Sequence, residues 1–228
     1  MPLAGWLGIG GGARLEGPLA VLSPHLDDGV FSLGAAIAGA QGEVRIVTVL
    51  AGDPESGLPA GEWDAGAGFG AAREATRARR DEDERACRDL GARPVWLPFN
   101  DHQYARGGDD DEIWVQLEKA LAGVMTVLVP GFPLMHEDHV WLAGLVRERG
   151  LPGRRVGYYV EQPYAAAWTP GPGGDWRPAG AAAWHRLAKL RACRRYGSQL
   201  PLMAPAARSL ARLTRYEAAR GGEEVRWA

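Results

Sequence analysis

Residues 18–50 read PLAVLSPHLDDGVFSLGAAIAGAQGEVRIVTVL, and this stretch decides the fold. Pro18 to Ser23 is a short apolar run. Polar and small residues interrupt it, and Val30 to Ala40 follows as a helix of small and apolar side chains. Val44 to Leu50 (VRIVTVL) is dense in β-branched residues, which suits a buried strand. Strand, helix and strand in so short a span form a crossover unit whose two strands run parallel.

The alternation continues outward. A glycine-rich loop spans Gly52 to Gly70. Ala71 to Leu90 reads as a charged helix that turns Ala75, Ala78, Ala86 and Leu90 toward a core, with Gly91 closing it. Pro94 to Pro98 is a short strand. Asp109 to Glu112 places negative charge where a helix begins, and Ile113, Leu117 and Leu121 mark that helix's apolar stripe. Met125 to Val129 and Arg155 to Val160 are further strands, with a helix over Val140 to Arg149 between them. Residues 163–181, rich in proline and glycine, read as an irregular loop, and helices follow at Ala181 to Tyr196 and Ala206 to Ala219. The expectation is a three-layer α/β fold, its mainly parallel sheet covered by helices on both faces. One domain is expected over residues 1–228, with 1–18 an N-terminal arm and 181–228 the C-terminal helices.

The 228 residues are 46% hydrophobic and 24% charged, with a net charge of −2. That length buries a substantial core without covalent staples. No apolar run approaches the ~20 residues of a membrane span, and Met1 to Trp6 lacks the basic segment of a secretory signal. The near-neutral balance argues against a broad nucleic-acid or anionic-membrane footprint. Two cysteines, Cys87 and Cys193, are too few for a disulfide framework, so the expected compartment is the cytoplasm. Gly8 to Gly12 is glycine-rich but has no convincing strand before it, so it reads as an arm or turn rather than a phosphate-binding loop.

In open α/β sheets, ligands bind beyond the carboxyl ends of the strands. The first strand ends in Ser23-Pro24-His25-Leu26-Asp27-Asp28, and the strand ending at Pro130 leads into Gly131 to His139 (GFPLMHEDH). Parallel topology sets both ends on one edge, bringing three of the five histidines together with carboxylates. His25 and Asp28, three residues apart on a turn entering a helix, can point the same way, and His139 can supply a third metal ligand. Asp27 between them is then free to accept a proton from metal-activated water, and His136 to polarise a carbonyl or protonate a leaving amine. Taken alone, the His25 to Asp28 stretch reads more readily as a cap, with Asp27 or Asp28 the N-cap of the Val30 helix, and His136 with His139 as a helix start with a satisfied histidine. Their pairing at two strand ends favours a metal site.

Pro24-His25-Leu26-Asp27-Asp28 resembles the Pro-His-x-Asp-Asp signature of the N-acetylglucosaminyl deacetylase family, also called PIG-L or LmbE-like. His136-Glu137-Asp138-His139 resembles its His-x-Asp-His signature. Arg79 to Gly91, Asn100 to Tyr104, Tyr158 to Tyr164 and Lys189 to Gln199 carry lesser likenesses, so the match spans about residues 19 to 200. The resemblance implies a zinc-dependent hydrolase on a Rossmann-like fold that removes an N-acetyl or other N-acyl group from an amino-sugar conjugate. By position it makes His25, Asp28 and His139 the Zn2+ ligands, Asp27 the general base and His136 the oxyanion stabiliser. The implied partner is a small amino-sugar molecule, with neither nucleic acid nor membrane. Gly29 stands where the family often carries glutamate.

Secondary candidates for substrate contact are Arg79 (or Arg80), Asp53, Asp101 and His102; a solvated helix charge or a loop turn is the competing reading for the first three. Trp63, Trp168 and Trp176 lie in the two glycine-rich loops, where they either stack on sugars or pack the loops down. Tyr159 and Tyr164 either line a pocket or belong to the core. Two other functions remain open on sequence alone: an amidase for a larger amide, such as a thiol-sugar S-conjugate or an acylated natural-product intermediate, and a non-catalytic sugar-binding relic.

Overall fold

The computed structural model describes residues 12, 14–167, 171–203 and 206–228. Gly8 to Gly11 of the glycine run and Trp168 lie outside the described residues. The strands are β1 (Leu19–Ser23), β2 (Val44–Thr48), β3 (Arg93–Trp96), β4 (Thr126–Phe132), β5 (Arg155–Val160), β6 (Arg177–Pro178) and β7 (Glu224–Trp227). The helices are α1 (Asp28–Ala38), α2 (Glu62–Gly66), α3 (Ala72–Leu90), α4 (Asp110–Ala120), α5 (Glu137–Arg149), α6 (Tyr164–Ala167), α7 (Ala183–Cys193) and α8 (Ala206–Arg220).

The strands form one sheet in the order β3-β2-β1-β4-β5-β7-β6. The first five are parallel, and β7 pairs antiparallel with both β5 and β6. Alternation along β1 sorts the core: Leu19 and Val21 face one layer with Phe31, Leu33, Ala86 and Tyr196, while Ala20 and Leu22 face the other with Ile113, Leu117 and Leu142. The expected mainly parallel three-layer sheet is therefore present. No helix among the described residues is long and apolar enough to cross a membrane.

Differences from the sequence reading have local causes. Helix α1 starts two residues earlier than expected, at Asp28, because the polar residues belong to its first turn. The loop from 52 to 70 contains α2, and residues 163–181 hold α6 and β6. Strand β7 was not anticipated. Glu224 to Trp227 (EVRW) offers four residues with little apolar pattern, and only the unpaired edge of β5 makes them a strand. Asp109 caps α4 in a complete capping box with Glu112, as its charge run suggested.

Helix α1 breaks at Leu33 (φ −129°, ψ 15°), which frees backbone donors beyond the break. Glu223, just before β7, accepts from Ala35 N–H at 2.9 Å and Ala36 N–H at 2.6 Å. The Lys189 ammonium on α7 lies 2.6 Å from Glu223 and also contacts Glu217, all three side chains being buried. Lys189 passes so close over α1 that a methyl group on Gly34 would fall 2.8 Å from its Cγ. Removing one partner of such a set strands the others in low dielectric. Lys189→Ala is expected to cost about 3–5 kcal/mol in equilibrium urea unfolding; a loss below about 1 kcal/mol would show that water reaches the two carboxylates.

Candidate active site

Strands β1 and β4 are neighbours whose following helices lie on opposite faces of the sheet, so a crevice opens beyond their carboxyl ends. At the end of β1, Ser23 Oγ donates to His25 O (2.6 Å) and accepts from Gly29 N–H (2.9 Å), closing the turn. Asp28 Oδ2 accepts from His25 N–H at 2.9 Å. Asp27 occupies the N-cap position of α1, but its side chain makes no cap hydrogen bond. Its φ of 144° is a conformation that L residues rarely adopt, so the turn is strained at this carboxylate. A methyl group on Gly29 would lie 3.3 Å from Val21 and Ile46, which shows how tightly α1 starts against β1 and β2.

At the end of β4, His136 is the N-cap of α5: its Nδ1 accepts from Asp138 N–H at 3.3 Å. His139, in the first turn, is fully buried. His25 Nδ1, Asp28 Oδ2 and His139 Nε2 form a triangle with sides of 3.2, 3.2 and 3.3 Å. Tetrahedral coordination with bonds of about 2.0–2.1 Å sets neighbouring donors about 3.3 Å apart, so the triangle has the size of one face of a metal coordination shell. The far nitrogen of each imidazole meets a buried carboxylate. His25 Nε2 lies 3.0 Å from Asp138, and His139 Nδ1 lies 2.5 Å from Glu161. Carboxylate–histidine pairs of this kind orient metal-binding imidazoles and fix their tautomer.

The electrostatics agree. Burial opposes charge on His25, yet the Asp138 and Asp28 hydrogen bonds outweigh it and push its pKa up to about 9. Burial likewise opposes charge on His139, and Asp28 with Glu161 pushes it up to about 10. Burial would raise Asp28, but His139 and His25 hold its carboxyl well below the usual range. The carboxylates thus demand positive charge at the centre of the triangle, and a divalent cation meets that demand. His136 differs: burial and the neighbouring His25 and His139 push it down to about 4, so it is neutral. Asp27 is raised by burial and by Asp28, against the pull of Arg79.

His25, Asp27, Asp28 and His136 border a cavity of about 170 Å³ that Arg79, Asp101, His102 and Tyr164 also line. Arg79 is buried, with Nη1 3.3 Å from Asp64 and 3.6 Å from Asp101, and its Nε has no hydrogen-bond partner. Arg80 instead donates to Ala51 O and lies over Trp96. His102 is half-exposed and reaches Asp138 at 3.2 Å. Asp53 does not line the cavity; it pairs with Arg73 and Arg77 on α3. The two tyrosines part company, Tyr159 lying in the core with its hydroxyl on Leu22 O and Tyr164 edge-on to His139 at the cavity. Trp63 lines the cavity, whereas Trp176 packs on Phe132.

Sequence reasoning missed Asp138 and Glu161. Asp138 stands in the sequence as the named aspartate of His-x-Asp-His, but the sequence reading gives it no role. Glu161 had a fainter signal, a lone carboxylate at the end of β5 on the same sheet edge. Arg106, which holds Asp138 at 2.7 Å, gave none.

Among solved structures, the chain is similar to the A40926 pseudoaglycone deacetylase Dbv21, at 28% identity and a TM-score of 0.75, covering 92% of this chain and 95% of that one. The N,N'-diacetylchitobiose deacetylase of Pyrococcus horikoshii is similar at 19% identity and a TM-score of 0.60 (91% and 83% covered). The 4-carboxy-2-hydroxymuconate hydratase GalB of Pseudomonas putida stands at 19% and 0.61 (89% and 84% covered). The latter two share the fold, and the hydratase shows that this fold carries more than one chemistry. No curated protein sequence matches the chain. The family model described as GlcNAc-PI de-N-acetylase matches residues 20–149, more than half of the chain and both histidine-bearing strand ends. The chain therefore belongs to the PIG-L family of GlcNAc-PI de-N-acetylases, a deacetylase family and so one of hydrolytic enzymes.

Proposed function

We propose that the chain is a zinc-dependent cytoplasmic deacetylase that removes an N-acetyl group from an N-acetylglucosaminyl-type amino sugar. The observation that carries this reading is the donor triangle of His25, Asp28 and His139, backed by Asp138 and Glu161 and adjoining a raised carboxylate in the same cavity. His25, Asp28 and His139 would hold the ion, which supplies Lewis acidity and lowers the pKa of water toward about 7 when bound. Iron could share these ligands. Cys87 and Cys193 are both free and buried, which suits a reducing compartment.

Asp27 is the general base. It lines the cavity, accepts no hydrogen bond from a described side chain, and has its proton affinity raised by burial and by Asp28. It takes the proton of the attacking water and can return it to the leaving amine. His136 is the oxyanion donor. Its Nδ1 already accepts from Asp138 N–H, so the ring proton of this neutral imidazole sits on Nε2, free for a developing negative charge in the cavity. Arg79 and Asp101 offer a donor and an acceptor to sugar hydroxyls, with His102 at the cavity's outer edge.

The direct test is amine release from N-acetylglucosamine conjugates by the zinc-loaded chain. Asp27→Ala should lose about 10²–10⁴ of kcat while binding one zinc per chain. Stoichiometric zinc with no release from short acyl sugars would overturn the simple deacetylase in favour of larger amides; no metal binding would leave the sugar-binding relic. His136→Ala should lower kcat by about 10²–10³ with little change in zinc content. Glu161→Gln should weaken zinc binding about 10–100-fold by competition with a chromophoric chelator, since it removes the anion that orients His139. Unchanged affinity there would mean that packing alone holds the imidazole.

A further inference from the structure

A second cavity adjoins the candidate active site. Trp63, His102 and Gln103 line both, and from them a groove of about 550 Å³ runs outward past Glu62, Gly66 and Leu202. That volume is within the usual range for small-molecule sites.

Trp63 is the aromatic residue with surface on both cavities, apart from the His102 ring, and hydrogen bonds hold it at both its indole and its backbone. The indole Nε1–H donates to Gln199 Oε1 at 2.7 Å, and the Gln199 side chain is buried. The Trp63 backbone N–H donates to Gln103 Oε1 at 3.0 Å. The next residue, Asp64, has no exposed surface and takes Tyr104 OH at 2.6 Å and Arg79 Nη1 at 3.3 Å. Tyr104 OH in turn accepts from Gly61 N–H at 3.0 Å. Gln199 itself stands beside Ser198, whose backbone N–H and hydroxyl are tied to Glu82 on α3. A five-residue helix is thereby fastened to three other parts of the chain, yet its tryptophan remains 41% exposed. Water gains nothing from an apolar face presented in this way; a flat ligand does.

The chemistry of the groove narrows the ligand. Glu62 is an exposed carboxylate at its edge, and Leu202 is an apolar wall. Among the described residues that line it there is no lysine or arginine. Gln103 is engaged with Asp101, and His102 with Asp138. An anion placed here would meet Glu62 without a cation to offset it.

We propose that this groove holds the part of the substrate beyond its amino sugar, and that this part is an uncharged aromatic group stacked on Trp63 rather than a phosphorylated one. The inference rests on the deacetylase reading for its substrate but not for its geometry. The test therefore has a binding arm and a turnover arm. In the binding arm, the zinc-loaded full chain is titrated calorimetrically with 4-nitrophenyl β-glucosaminide, glucosamine and glucosamine 1-phosphate. The aryl glycoside should bind about tenfold tighter than the other two, the size of one stacked aromatic contact. Trp63→Ala should abolish that advantage, and Trp63→Phe should restore part of it. In the turnover arm, KM for the N-acetylated aryl glycoside should be lower than for N-acetylglucosamine by a similar factor. Equal or tighter binding of the phosphate, or an aryl advantage that survives Trp63→Ala, would overturn the proposal. Aryl preference in binding with no amine release from any N-acetylated compound would overturn the deacetylase reading alone.

Discussion

The hydrogen-bonded pairing of β1 with β4 is the constraint on which the rest depends. Leu19 stands beside Thr126 and Val21 beside Leu128, although more than a hundred residues separate them. In that register the two strands end at the same edge, one leading into Asp27 and Asp28, the other into His136 and His139. The chain order splits here, β2 lying on one side of β1 and β5 on the far side of β4. The cavity opens beyond this split, with Trp63 of α2 and Tyr164 of α6 on its lining. A slip of this pair along the strand axis would part His25 from His139, while leaving each local motif intact.

The site is organised in shells of opposite charge. Three donors converge, two of them imidazoles, and each imidazole has a carboxylate behind it. Asp138 serves more than one purpose: its backbone N–H fixes the tautomer of His136, and its side chain holds His25 and binds Arg106. Such a cluster would be costly if any member were left unpaired. The strain at Asp27 fits the same arrangement. A relaxed N-cap would turn that carboxylate to the helix backbone, whereas the observed φ directs it away from that role. Farther out, Asp64, Arg79 and Tyr104 tie α2 to α3, so the outer wall of the cavity is set by the same kind of buried polar network.

Much of this was legible in the chain, and the parts that were not share a physical cause. The run Val44 to Leu50 announces a covered strand because it is dense in β-branched residues and carries a single charge, Arg45. Asp109 with Glu112 announces a helix start through a hydrogen-bond pattern that is entirely local. The paired signatures at residues 24–28 and 136–139 announce a candidate metal-binding group, and the structure brings its donors together. By contrast, α2 was read as loop, because five residues with two glycines close by have no propensity of their own; Gln103, Tyr104 and Arg79 make it helical. Strand β7 was read as nothing, because its only reason to be extended is the free edge of β5.

By itself, then, the sequence determined the succession of the five parallel strands and the main helices between them, the layers they form and the candidate donors at two strand ends, since these follow from period, turn chemistry and the position of titratable residues. Only the tertiary structure decided which carboxylates stand behind which histidines, that Arg79 and not Arg80 faces the cavity, that Asp53 belongs to the surface, and that Trp63 and not Trp176 looks onto the site. The reason is one of range. Hydrogen-bond period and capping act over a few residues and leave a mark in the local sequence. The contacts of Glu161 with His139, or of Gln199 with Trp63, join segments that meet only after the sheet has closed.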